Sequence, residues 1–102
     1  MIIQGNFETR EVLINGKPLN PKPSQKVWNH SPTGFNWGYE GSGPAQLALA
    51  ILLLVTDKGT ALQCYQKFKR QVIAKLPQRD FKVDISMDFW IDKLKAESLT
   101  TN

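Results

Sequence analysis

Around the segment Gly41-Ser42-Gly43-Pro44-Ala45-Gln46-Leu47-Ala48-Leu49-Ala50-Ile51-Leu52-Leu53-Leu54-Val55 the rest of the molecule has to be arranged. Pro44 lacks an N–H, which costs nothing in a first helical turn, so a helix is predicted to open there and to run from Ala45 to about Val55. Gly43 is placed at its N-cap, and Gln46 sits where a side chain can reach back to that cap. Such a helix is apolar on every side. It belongs in the centre of a fold, enclosed by other elements.

Downstream, Thr56-Asp57-Lys58-Gly59 breaks the pattern, and a second helix is predicted from about Thr60 to Leu76. Ala61, Leu62, Tyr65, Phe68, Val72, Ile73 and Leu76 recur at helical spacing, which makes this helix amphipathic. Pro77 stops it. Phe81 to Ile85 alternates like a short strand, and Ser86 is read as the N-cap of a short last helix carrying Phe89, Trp90, Ile91 and Leu94. The tail from Ser98 to Asn102 is expected to fray.

Upstream, Ile2 to Phe7 and Glu11 to Ile14 read as strands. Asn15-Gly16 is a favoured two-residue hairpin turn, because both residues tolerate positive φ. Lys17-Pro18-Leu19 continues the hairpin, with Pro18 pointing to an edge strand. Prolines 21 and 23 predict an extended connector over Asn20 to Ser24, and Lys26-Val27-Trp28 is read as one more short strand. The expected fold class is α+β. A small antiparallel sheet, mainly N-terminal, packs on a buried central helix, an amphipathic second helix and a short C-terminal helix, in a single domain over 1–102.

The 102 residues fit one domain. An apolar fraction of 41% and a charged fraction of 22% argue against wholesale disorder. Cys64 is the sole cysteine, so no intramolecular disulfide forms. The N-terminus lacks the pattern of a secretory leader, and the longest apolar run, Leu47 to Val55, falls short of the ~20 residues a spanning helix needs. Those absences set the expectation of a cytoplasmic protein with no membrane partner. The net charge of +4 permits a polyanionic partner. Lys67, Arg70 and Lys75 share one helix flank, but no dense basic stripe accompanies them.

The chemistry concentrates in the loop Gly34-Phe35-Asn36-Trp37-Gly38-Tyr39-Glu40-Gly41-Ser42-Gly43-Pro44. Glycines at a helix N-terminus can direct several N–H groups at an anion, with the helix dipole assisting. Gly38 and Gly43 have the spacing of a P-loop, yet Pro44 and Ala45 stand where that motif needs Lys and Ser or Thr, so P-loop hydrolysis is excluded. Helix-dipole attraction supplies ~0.3–1 kcal/mol at exposed sites, whereas micromolar affinity needs about 8 kcal/mol. Aromatic stacking adds ~1–3 kcal/mol per base. Phe35, Trp37 and Tyr39 alternate, so an extended segment would present them on one side. The ligand-binding candidates are therefore Phe35, Trp37, Tyr39, Gly41, Ser42, Gly43 and Gln46, with His30 as a contact residue. The same loop equally suits a tight corner that packs its aromatics against the helix, and both readings stand at this point.

His30 is the only histidine. Acid–base work needs a partner within hydrogen-bond reach, and the sequence shows none. Gly41-Ser42-Gly43 also lacks the nucleophile elbow of G-x-S-x-G. One His and one Cys do not complete a zinc shell. No catalytic residue, metal or cofactor is expected.

The stretch Gly34 to Leu52, with its Gly-Ser-Gly-Pro-Ala-Gln core, resembles a domain-of-unknown-function family of short bacterial and bacteriophage proteins. Tyr65-Gln66-Lys67-Phe68-Lys69 and Ala74-Lys75-Leu76-Pro77 look like that family's second block, and the Asn15-Gly16 and Pro18-Leu19 turn looks like its opening hairpin. The resemblance implies no activity. It implies a setting in phages and mobile elements, where small proteins act by binding, some in counter-defence. The leading expectation is a non-enzymatic binder of a phosphate-bearing small ligand or nucleotide signal. The alternatives are a protein-binding inhibitor or accessory module, dimeric in one version and acting on a host protein through exposed aromatics, and a weak nucleic-acid binder.

Overall fold

Four strands and four α-helices are present in the computed structural model, which describes residues 1–100. The sheet comprises β1 (Ile2–Gly5), β2 (Val12–Ile14), β3 (Lys17–Pro18) and β4 (Phe81–Asp84), antiparallel throughout, in the order β3-β2-β1-β4. Asn15 and Gly16 take φ of 49° and 82°, the paired left-handed values of the tight hairpin. Pro18 lies on the edge strand β3, where its missing N–H leaves no ladder bond unmade. β4 returns from far along the chain to pair with β1, Ile3 opposite Val83 and Gly5 opposite Phe81. This α+β arrangement matches the class the sequence predicts.

The central helix α2 spans Ser42–Val55, and every residue from Gly43 to Leu52 is buried. Its N-cap is Gly41, not Gly43, so Pro44 sits at the third helical position and still within the first turn. Helix α3 (Lys58–Gln71) begins earlier than predicted because Asp57 caps it, its carboxylate accepting from Thr60 N at 3.0 Å. It also ends earlier. Val72 leaves the helical region, a 3₁₀ turn follows at Ile73–Lys75, and Leu76 is extended with ψ of 151°. Pro77 disfavours the helical conformation at the residue before it, which accounts for Leu76.

Two expectations fail between residues 20 and 28. The predicted connector and strand are instead the helix α1, Lys22–Val27. Pro23 falls in its first turn, where a proline is tolerated. The Asn20 side chain accepts from Lys22 N at 3.0 Å, and the Ser24 hydroxyl donates to Pro21 O at 2.7 Å. Trp28, extended at the C-cap, ends the helix. The last helix α4, Met87–Thr100, is also not short. The Lys93 ammonium meets both Glu97 and Gln71 of α3, and Gln71 Nε2 donates to Glu97, which anchors the far end. Helix α4 thus runs through residues 98–100 of the tail expected to fray, and residues 101 and 102 lie outside the described residues. Among the described residues no helix is long and apolar enough to cross a membrane.

Candidate functional site

Gly38 divides the glycine loop into a sealed half and an open half. With φ of +84° it reverses the chain between Trp37 and Tyr39, so the alternating aromatics do not share one side. Phe35 and Trp37 turn inward, and Trp37 has no exposed surface at all. Its ring packs on Phe81 at 5.0 Å between centroids and on Phe7 at 5.8 Å, and its Nε1 donates to Arg79 O at 3.0 Å. Gly38 N donates to Ile73 O at 3.0 Å, and Gln78 Nε2 donates to Gly38 O at 3.0 Å. A side chain at Gly38 would meet Gln78 at 2.7 Å and Leu76 O at 2.9 Å. The inner half is a packed corner, and the ring face sought at Trp37 is used by the core.

The outer half stays accessible. Tyr39 is 41% exposed, Ser42 is exposed and Gly41 half-buried. Gly43 is buried against Asn36. No side chain caps the start of α2. Glu40 holds that start beside two cations of α3, its Oε1 lying 4.0 Å from Lys69 Nζ and 3.8 Å from Arg70 Nε.

Gln46 does not reach back to the N-cap. Buried in α2, it turns toward the segment that links α1 to the loop. Its Oε1 accepts from His30 N at 2.8 Å and Ser31 N at 3.0 Å, while its Nε2 donates to Ser24 Oγ at 2.9 Å and Trp28 O at 3.1 Å. These bonds use both carbonyl lone pairs and both amide hydrogens. The side chain is a tie between helix and strap, with no donor or acceptor left for a ligand. Gln46 is the single polar residue between Gly43 and Val55, and that isolation was the available signal for a buried polar role.

The strap so held carries His30, half-buried. His30 Nε2 and the Tyr65 hydroxyl share a hydrogen bond of 2.7 Å, and the His30 ring stacks on Trp28 with 5° between planes and 5.4 Å between centroids. Trp28 is 58% exposed and forms the outer end of the stack. Burial and then the Lys69 charge lower the His30 pKa below its ordinary value. Protonation is therefore less favourable in the folded chain than in the unfolded one. The stability this confers is complete above the unfolded value near 6.5 and is lost as pH falls through the lower folded value. A proton-NMR titration of the His30 ring is expected to give a midpoint below 6.5, and the loss of melting temperature from pH 7 to pH 5 is expected to shrink in His30→Phe. A midpoint above 6.5 would reverse the sign.

Of the residues expected at the site, Tyr39, Gly41 and Ser42 lie accessible at the start of α2, His30 lies half-buried on the strap beside Tyr65, and Phe35, Trp37, Gly43 and Gln46 are buried. Lys69 and Arg70 come to the α2 start through Glu40, and Trp28 and Tyr65 flank His30 on the strap, none of them expected at a site. Tyr65 follows the apolar stripe of α3 and reads as core, and Lys69 and Arg70 read as solvated. Cys64 is buried within α3, as a small core residue would be. Among the described residues no cluster of three His, Cys, Asp or Glu side chains could hold a metal ion.

Neither the curated proteins nor the solved structures contain a match to the chain. Residues 3–93 match the model of DUF6166, a family of unknown function, and that span takes in the hairpin, the glycine corner, α2, α3, β4 and the start of α4. The chain belongs to that family.

Proposed function

We propose that the chain is a non-enzymatic binding protein for a phosphate-bearing small ligand, a nucleotide signal being the leading class, seated on the outer face of the α2 corner. The observation that carries this reading is the uncapped start of a 14-residue helix with Lys69 and Arg70 converging beside it on Glu40. The exposed Arg70–Glu40 pair contributes only about 0–1 kcal/mol, and the mostly covered Lys69 meets Glu40 only at 4.0 Å. A phosphate carries more charge than the Glu40 carboxylate and can take its place between the two cations, with the α2 dipole adding to the attraction. The stacking surface moves from Trp37 to the exposed Trp28, backed by His30, with the exposed Tyr39 in the loop that leads into α2. In a bacterial or bacteriophage setting, a binder of this size fits sequestration of a signal in counter-defence.

A thermal-shift panel of mono-, di- and cyclic nucleotides is expected to raise the melting temperature with at least one of them. Glu40→Gln is expected to tighten that binding by about three-fold to ten-fold, since it removes the competing charge, and Arg70→Ala to weaken it by a similar factor. A flat panel at millimolar nucleotide overturns the reading. A protein-binding accessory module is the second reading, favoured by the exposure of Phe89 and Leu54, neither of which serves the α2 corner. A pull-down from host lysate with no stoichiometric partner counts against it.

A further inference from the structure

Arg10 stands apart from the α2 corner, and the loop between β1 and β2 is built to hold it. Asn6 N donates to Glu11 O at 3.0 Å and Arg10 N donates to Asn6 O at 2.7 Å, while Asn6 Oδ1 accepts from Glu8 N and Thr9 N. Closed in this way, the loop places Arg10 at φ of 65°, a left-handed conformation unusual for a long side chain. The guanidinium carbon lies 3.7 Å from the centroid of the Phe7 ring, and Phe7 rests on the sealed Trp37. Stacking occupies a face of the guanidinium. Its donors lie in the plane, so its two terminal Nη groups stay available for an oxyanion, while Nε is sealed from solvent.

The guanidinium is unmatched within the protein. Among the described residues no carboxylate comes within ion-pairing distance of Arg10, and its Nε, shielded from solvent, has no acceptor. Arg10 also lines a cleft of about 290 Å³, together with the polar residues Thr9 and Thr33 and the apolar residues Pro18 and Leu19. Glu11 also lines the cleft. One guanidinium offset by one nearby carboxylate suits a guest with a single negative charge better than a dianion. Two coplanar oxygens match the guanidinium edge, and the apolar walls suit a hydrocarbon body. The volume lies at the small end of ligand sites, which limits that body to a few carbons.

We propose that this cleft binds a small monocarboxylate, its carboxylate forked on the two terminal Nη groups of Arg10 and its apolar body against Pro18 and Leu19. The site is independent of the α2 corner, and neither stands or falls with the other.

Titration of the ¹⁵N-labelled full chain with hexanoate, and in parallel with hexanol, tests the proposal. Hexanoate is expected to give a saturable shift of the Arg10 Nη–H signals together with the Thr33 and Gly34 amides, and hexanol to leave the Nη–H signals in place. Arg10→Lys keeps the charge without the fork and is expected to weaken hexanoate binding by about ten-fold. Wild-type Arg10 Nη–H signals that do not respond overturn the proposal, and so does an equal response to hexanol or an unchanged affinity in folded Arg10→Lys. If Arg10→Lys does not fold, the wild-type comparison of acid with alcohol decides alone.

Discussion

Replacing Gln46 by leucine is expected to destabilise the fold by about 3 kcal/mol, from an argument about which groups lose every partner. Leucine preserves the apolar volume, so the loss comes from polar groups and not from a cavity. Trp28 O retains a bond from His30 N at 3.2 Å, and the Ser24 hydroxyl retains Pro21 O as its acceptor. Ser31 N has no other acceptor, and His30 N keeps only the longer contact to Trp28 O. A buried donor left unpaired costs about 1–3 kcal/mol, and one full orphan plus one weakened donor gives the figure above. In a domain of this size each 1 kcal/mol lowers the melting temperature by roughly 4–8 °C. Urea unfolding followed by tryptophan fluorescence checks the value. A loss under about 1 kcal/mol would mean that the strap from Trp28 to Ser31 finds other partners, and that Gln46 does not hold it.

The same residue shows how much of the molecule could be read in advance. Gln46 was singled out, but its direction was not, because local geometry offers it the helix start while tertiary structure offers it two backbone donors on a strap. The apolar run around it settles the central helix without any tertiary knowledge, since no surface position tolerates Leu47 to Leu52 on all sides. Asn15-Gly16 settles the hairpin in the same way, through backbone strain that few other pairs relieve. The failures have one origin. Prolines 21 and 23 are compatible both with an extended chain and with a first helical turn, and only the buried Ser24 and its bond to Gln46 choose between them. Phe35, Trp37 and Tyr39 alternate in sequence, but the alternation holds in space only if the backbone stays extended, and Gly38 turns it over. The candidate loop is therefore accessible only at the residues on the outer side of that turn. Trp28 and Tyr65 reach His30, and Lys69 and Arg70 reach Glu40, by packing, which no spacing along the chain expresses.

Trp37 is the residue for which this distinction carries the largest expected effect. Trp37→Ala is expected to cost about 3–5 kcal/mol, the range for emptying a large aromatic site in a core. Total stabilities lie near 5–15 kcal/mol, so the variant is expected to be strongly destabilised and, at the low end of that range, partly unfolded. Loss of ligand binding in it would then say nothing about a stacking role, and Trp28→Ala, on an exposed ring, is the substitution that tests stacking. Gly5 supplies the internal control. A methyl group there would stand 2.7 Å from Trp37 Cη2 and 2.8 Å from Cζ2, and would also meet Phe81. Gly5→Ala is thus expected to destabilise by about 1–3 kcal/mol through overpacking. Trp37→Phe removes the outer ring atoms that make the clash but forfeits the bond to Arg79 O, a loss of about 1 kcal/mol before any packing term. In the double variant the Trp37 part of the clash disappears while the Phe81 part stays. Chemical denaturation of the four members of this cycle is expected to show the pair less destabilised than the sum of the singles. Additive losses would place the Trp37 ring away from the sheet, and the sealed corner would no longer follow.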